Sequence, residues 1–319
     1  RSSAREMFDN RYYITDAVTT ASAMYYCRLF QAAGIRKLII NGFPLSHQHL
    51  VERIRRDAPE IAIYALWHGS FLQSGEDVAW KGFQTLLSYA RNGYIEKLGF
   101  VKEGMAEILA KQGLRTAFVM NMVQRIPSMP ANVAQEEGNS KLGLWNIDAF
   151  SWRKLPFSMI AAAGAVKNCT LHLSGADQRS QEFVSLLGVK SVISTHSVPQ
   201  RLMPARLAEM HLNLYVTLSE CAPMLPLESL SVGVPCLFGP TSHFFKDNEF
   251  LYRRLIVPYP DSAQVISKYI ERALGERSDI VAEYRRYAPG YIARAKQSLT
   301  DFLDMYRKRA YEQVLFRNI

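Results

Sequence analysis

Two glutamates, Glu220 and Glu228, stand eight residues apart in the stretch Ser219 to Pro240, SECAPMLPLESLSVGVPCLFGP. Ahead of them, Leu212 to Leu218 is a short apolar run rich in strand formers, so Glu220 is expected just past a strand end, facing a loop crevice. Pro226 suits a first helical turn, and Gly233 with Pro235 is a stop signal, which predicts a helix from Leu225 to Val232. Val234 to Phe238 then reads as a second buried strand. In such a unit the N–H groups of Met224, Leu225 and Leu227 face out of the positive end of a helix, which suits a diphosphate. Glu228, on the first turn, is placed to accept hydrogen bonds from a pair of ribose hydroxyls, and Glu220 from the hydroxyls of a sugar. The plain alternative is an acidic first turn in which Glu228 only balances the helix dipole. His68 is a second candidate, because a histidine at a strand end could hydrogen-bond a sugar or assist a leaving phosphate.

These groups need strands that end beside them. Residues 12–33 are helix material up to Gly34, and Arg36 to Asn41 reads as a strand ending at Gly42. Ser46 is expected to cap a helix with the basic face Arg53, Arg55 and Arg56. Ile61 to Trp67 is a second strand, ending in His68-Gly69-Ser70. Helical stretches at 78–90 and 102–111 flank the apolar piece 95–101, and Leu114 to Met120 is a further strand ending at Asn121. Strands alternating with helices predict a parallel sheet covered on both faces, with ligands at the carboxyl ends of its strands. That rule singles out the turns at Gly42 and Gly69, where the missing side chain lets backbone approach a ligand.

Residues 121–141 lose this periodicity and gather two prolines and a glycine, which marks a domain boundary. The alternation then resumes: strands at 142–145, 169–174 and 189–194, helices at 156–165, 180–187 and 199–210. Beyond Pro240, Ser242, His243 and Asn248 could line the site, Asp261 caps a helix to Leu274, and the chain is mostly helical from Ser278. The expected fold is α/β, with two Rossmann-like parallel-sheet domains. The first is short, so the chain has either lost its first strands or uses a reduced domain.

With 48% apolar and 21% charged residues, the composition is that of a soluble globular protein. Its longest apolar run, Leu155 to Val166, is about half of what a membrane-spanning helix needs. The chain opens RSSAREMF, without an initiator methionine or a signal pattern, so it is expected to be cut from a longer protein that carries further domains. Four cysteines, Cys27, Cys169, Cys221 and Cys236, are widely spaced in apolar contexts, which predicts reduced thiols and a cytoplasmic location. No C-x-x-C pair or H-E-x-x-H helix occurs, so no metal is expected. The excess of nine positive charges suits phosphorylated ligands or an anionic membrane surface. The basic residues are too dispersed for nucleic acid.

The glutamate pair, the second within Glu228-Ser229-Leu230-Ser231-Val232-Gly233-Val234-Pro235, closely resembles the E-x7-E and E-A-x-A-x-G-x-P signature of retaining GT-B glycosyltransferases, the glycogen-synthase and sucrose-synthase type represented by family 4. The resemblance spans about residues 115–275. It implies two Rossmann-like domains facing a cleft: an acceptor-side domain over 1–121, a linker over 122–141, a nucleotide-sugar domain over 142–298, and a last helix over 299–319 that crosses back. It implies transfer of a sugar from a nucleoside-diphosphate sugar to a glycan or lipid-linked acceptor, with Glu220 and His68 at the chemistry and no metal or other cofactor. By position, Arg153 and Lys154 would clamp the donor diphosphate, although the family's glycine after the lysine is Leu155 here. Gly42 or Gly69 would take the place of the glycine loop that lies against the donor. Relatives that build surface polysaccharides imply a peripheral place at the inner membrane face.

Two further readings remain open. Leu66-Trp67-His68-Gly69-Ser70 is similar to a tryptophan-histidine-glycine turn of teichoic-acid-type phospho-polyol transferases, in which His68 would be the base and Glu220 a bystander. The third expectation is a non-catalytic GT-B module that binds a nucleotide sugar inside a larger protein.

Overall fold

The computed structural model describes residues 2–14, 16–127, 138–147 and 152–304. The chain divides into two compact units, one of Ser3–Asn121 with the chain from Arg294, the other of Met122–Ala293.

The first unit is built from helices α1 (Ser2–Met7) and α2 (Thr20–Ala32), then β1 (Lys37–Asn41), α3 (Gln48–Asp57), β2 (Ala62–Trp67), α4 (Asp77–Arg91), β3 (Lys97–Phe100), α5 (Met105–Ala110) and β4 (Thr116–Phe118). All pairings are parallel, in the order β1-β2-β3-β4. Ile63, Ala65, Leu98 and Phe100 of the central strands are buried among Val51, Ile54 and Leu86 from the helices. A strand buried on both faces reads as an unbroken apolar run, which is why AIYALW was legible.

Two local expectations fail in this unit. Residues 12–14 and 16–19 are not helical: α2 starts at Thr20, where Thr19 and Ser22 form a reciprocal capping box that fixes its first turn. Ser46 caps nothing, because Pro44 opens a 3-10 turn over Leu45–His47, with the His47 N–H donating to the Pro44 carbonyl at 2.9 Å, and α3 begins behind it.

The second unit runs β5 (Ser140–Leu144), α6 (Pro156–Ala165), β6 (Cys169–Ser174), α7 (Gln178–Leu186), β7 (Ser191–Ser194), α8 (Met203–Ala208), β8 (Leu212–Tyr215), α9 (Met224–Ser231), β9 (Cys236–Phe238), α10 (Glu249–Leu255), α11 (Ala263–Gly275) and α12 (Arg277–Phe302). Its five strands are again parallel, in the order β7-β6-β5-β8-β9. Leu142, Leu144, Leu171, Leu212, Leu214 and Leu237 fill the sheet's faces. Helix α10 was not anticipated; Asn248 caps it, accepting from the Leu251 N–H at 3.0 Å. Ser262, rather than Asp261, caps α11, accepting from Val265 at 3.3 Å.

Helix α12 starts in the second unit and ends in the first, and the division falls at Ala293 and Arg294 rather than at 298 and 299. The helix is continuous across it, with Pro289 and Gly290 about one turn before the hand-over. Its end is part of the first unit's core: Phe302 is fully buried, its ring edge-on to Tyr64 at 5.6 Å, and the Ser298 hydroxyl accepts from the Met120 N–H at 3.0 Å. Lys97 donates to the Asp301 carbonyl at 2.7 Å and pairs with Asp304 at 2.9 Å. Residues 305–319 and half of the linker 122–141 lie outside the described residues.

All four cysteines are free thiols, and Cys27, Cys221 and Cys236 are buried. Among the described residues no helix is long and apolar enough to cross a membrane.

Candidate active site

In the second unit the strand order runs outward from β5 through β6 to β7 on one side, and through β8 to β9 on the other. The chain therefore reverses direction between β5 and β8, and the loops leaving those two strands must part at their carboxyl ends. Lys154 follows β5 and Glu220 follows β8. The loops are tied where they diverge, the Leu218 N–H donating to the Arg153 carbonyl at 2.8 Å.

Trp152–Lys154 forms one 3-10 turn, and Pro156 opens α6. Leu155 joins them with φ of 47° and ψ of 45°, the left-handed region that favours glycine. The backbone conformation is the one a glycine would supply, although the residue is leucine.

The Lys154 ammonium donates to Glu220 Oε1 and to the Tyr215 hydroxyl oxygen. The Tyr215 hydroxyl in turn donates to Glu220 Oε1 at 2.9 Å, and Lys154 Nζ stands 4.7 Å from the centre of the Tyr215 ring. Burial, then the adjoining carboxylate, push the Tyr215 phenol well above its usual range, so it keeps its proton. The backbone of Glu220 is held as well: its N–H donates to Thr241 Oγ1 at 2.8 Å, and that hydroxyl donates back to the Glu220 carbonyl at 3.1 Å. Thr241 reaches this place because the chain leaving β9 passes against the loop after β8. A Cβ on Gly239 would stand 1.9 Å from the Thr217 carbonyl oxygen.

Helix α9 begins at Met224, behind Pro223, which offers no side-chain cap. Met224 and Leu225 are its first two residues, and Pro226 has no N–H. Leu227 is the fourth helical residue, so the expected trio of N–H groups falls on the first turn of α9. Glu228 is buried, at 8% exposure. Its neighbour Ser229 anchors the helix: the Asn213 amide donates to Ser229 Oγ at 2.8 Å, Ser229 Oγ donates to the Val234 carbonyl at 2.8 Å, and the Trp145 indole donates to Asn213 Oδ1 at 2.7 Å. This buried network fixes α9 against β5 and β8.

In the first unit, the turns after β1 and β2 stand side by side. His68 Nε2 lies 2.6 Å from Asn41 Oδ1. Gly42 has φ of 83°, and a Cβ on Gly69 would meet the Trp67 indole at 2.6 Å. Burial pushes the His68 imidazole down to about 4, so the ring is neutral near pH 7. The strand order of this sheet has no reversal among the described strands.

No protein-family model matches the chain, and no curated protein matches its sequence. Solved structures match its fold. The sucrose-phosphate synthase of Thermosynechococcus elongatus superposes with a TM-score of 0.63 at 13% identity, over 92% of this chain and 80% of its own. The lipopolysaccharide outer core galactosyltransferase WaaB, in its apo form, gives 0.58 at 15% identity, over 90% and 80%. A UDP-forming α,α-trehalose-phosphate synthase of Burkholderia xenovorans, in complex with glucose-6-phosphate, gives 0.58 at 11% identity, over 90% and 76%. The fold is GT-B.

Within this GT-B chain, Lys154 and Glu220 come together directly, and Arg153 lies beside them on the same turn. Glu228 and the start of α9 follow from the same loop. His68, Gly42 and Gly69 belong to the first unit. Of the residues expected beyond Pro240, Asn248 serves as a helix cap and also donates to Glu283 at 2.8 Å. His243 is buried and stacks on Tyr291, its Nε2 3.2 Å from the hydroxyl, and Ser242 is buried too. Tyr215 and Thr241 were not anticipated. A tyrosine closing the buried strand Leu212–Tyr215 was the available signal for Tyr215; Thr241 offered none.

Proposed function

We propose that this protein is a glycosyltransferase that moves a sugar from a nucleoside-diphosphate sugar to a glycan or lipid-linked acceptor. The observation that carries the reading is the meeting of Lys154 and Glu220 at the reversal between β5 and β8, where an open parallel sheet binds its ligand. A cation suited to phosphate and a carboxylate suited to sugar hydroxyls occur together there.

As the bond from the sugar's anomeric carbon to the diphosphate breaks, negative charge grows on the leaving phosphate oxygen. Lys154, Arg153 and the N–H groups of Met224, Leu225 and Leu227 are assigned to stabilise it, in the role a metal ion plays elsewhere. Glu220 accepts hydrogen bonds from the transferred sugar, and Glu228 from the ribose. Transfer is proposed to proceed with retention: the acceptor hydroxyl attacks the face the diphosphate vacates, the new carbon–oxygen bond replaces the old one, and the hydroxyl proton passes to the departing phosphate oxygen. No side-chain base is then needed. His68, neutral at pH 7, is assigned to hydrogen-bond the transferred sugar. The net positive charge supports work at an anionic membrane face in surface polysaccharide synthesis.

Calorimetric titration of the chain with nucleoside diphosphates and nucleotide sugars tests the reading, run beside Glu228→Ala. One preferred nucleotide, weakened by Glu228→Ala and unaffected by a chelator, is the expected result. A folded chain that binds no member of the panel would overturn it.

A further inference from the structure

Tyr215 is the last residue of β8, which is hydrogen-bonded on both sides, to β5 and to β9, with Tyr215 itself paired to Phe238. Its backbone is therefore fixed by the sheet, whereas Lys154 and Glu220 stand on turns and carry long, rotamer-rich side chains. Ordering such side chains costs up to about 2 kcal/mol each in lost rotamer entropy. A tyrosine has only two side-chain torsions, and here it touches both.

We propose that Tyr215 is a positioning residue of the donor site, orienting the Glu220 carboxylate with its hydroxyl and seating the Lys154 ammonium with its oxygen and ring. This deepens the donor-site reading above and rests on it. The three contacts have distinct work to do. The 2.9 Å hydrogen bond fixes the rotation of the Glu220 carboxylate, which decides where a sugar hydroxyl can donate. The bond accepted from Lys154 and the 4.7 Å approach of the ammonium to the ring hold the cation at the loop after β5 before any phosphate arrives. Because burial keeps the phenol protonated, donor and acceptor roles stay fixed throughout the pH range in which a nucleotide sugar is stable. A leucine or valine at this strand end would deprive the Lys154–Glu220 pair of a partner fixed by the sheet.

The test is a double-mutant cycle of Tyr215→Phe and Glu220→Ala, read by calorimetry with uridine diphosphate and UDP-glucose as probes. Uridine is chosen because the Burkholderia enzyme with this fold is UDP-forming. Tyr215→Phe keeps the ring and removes only the hydroxyl. It is expected to weaken UDP-glucose by about tenfold, the worth of a hydrogen bond to a charged group, and uridine diphosphate by less. On the Glu220→Ala background the same change should cost less than about twofold. An equal loss on both backgrounds, or none on either, would overturn the proposal. A second arm needs no ligand: crystal structures of wild type and Tyr215→Phe are compared at Glu220. The carboxylate is expected to rotate away in the variant, and an unmoved carboxylate would count against a positioning role. If wild type binds neither probe, the donor reading fails, and the crystal comparison still decides the role of Tyr215.

Discussion

Asn41 and His68, at the carboxyl ends of adjacent strands, place an amide oxygen 2.6 Å from an imidazole nitrogen. The neutral ring satisfies this contact by donating from Nε2, and burial opposes a second proton. The folded-state pKa is about 4 against an ordinary 6.5, so between those values the unfolded chain binds a proton that the folded chain refuses. Stability is therefore complete above about pH 6.5 and falls as the pH drops toward 4, by at most about 3 kcal/mol from this residue. His47 and His211, also lowered by burial, act in the same direction. Urea midpoints measured across this window should fall with acid in wild type and fall less in His68→Gln. Parallel curves would show that His68 is not the group refusing the proton.

Leu155 holds a left-handed backbone at the hinge between the Trp152–Lys154 turn and α6. A side chain there costs about 1 to 2 kcal/mol in steric strain, which glycine avoids. Leu155→Gly is expected to lose part of that gain through greater freedom of the unfolded chain, for a net change within about 1 kcal/mol in either direction. Leu155→Val, whose branched side chain fits this region worst, should destabilise by about 2 kcal/mol or more. Thermal denaturation of the two variants separates these outcomes. Equal losses for both would mean that leucine's packing, not its backbone, decides the position.

Two glycines are constrained for different reasons, and alanine substitution tells them apart. At Gly239 a Cβ would lie 1.9 Å from the Thr217 carbonyl, so the strand exit must move and carry Thr241 off Glu220. Gly239→Ala should cost about 3 kcal/mol and weaken nucleotide-sugar binding in the same variant. At Gly42 nothing lies within 4 Å of a Cβ, and only φ of 83° resists. Gly42→Ala should cost about 1 kcal/mol, through its backbone conformation alone. Chemical denaturation of both proteins, with titration of Gly239→Ala, makes the comparison.

Local punctuation explains which elements were legible. Pro156 and Asn168 bracket α6 and the start of β6, and Gly175 closes that strand, so both were read to the residue. What escaped depends on which strands become neighbours. Lys154 and Glu220 are 66 residues apart, Lys154 and Tyr215 61, and Glu220 and Thr241 21. They meet only because β8 inserts beside β5 and β9 beside β8. Hydrophobic periodicity specifies that a strand is buried, not which strand lies next to it. The residues 12–19 misled for a related reason. Tyr12 and Tyr13 count as apolar in a helical pattern, yet both are exposed, and the cap at Thr19 decides where α2 starts.

The end of α12 supplies part of the first unit's core, and Phe302 is its anchor. The ring is fully buried, edge-on to Tyr64, and a Cβ on Gly99 would stand 3.0 Å from it, so strand β3 has no side chain in that space. Replacing the ring by a methyl group leaves a cavity that the sheet cannot collapse into, because Lys97 and Ser298 hold the helix at its present distance. Phe302→Ala should therefore cost about 3 to 5 kcal/mol. The loss is local in origin, so amide hydrogen exchange should accelerate first in β2 and β3, where Tyr64 and Gly99 sit. The lysine contact can be removed separately. Lys97→Met keeps the packing and loses the hydrogen bond to Asp301 and the part-buried ion pair with Asp304, and should cost about 1 to 2 kcal/mol. If Lys97→Met proved as damaging as Phe302→Ala, the helix end would be held by its polar contacts rather than by the buried ring.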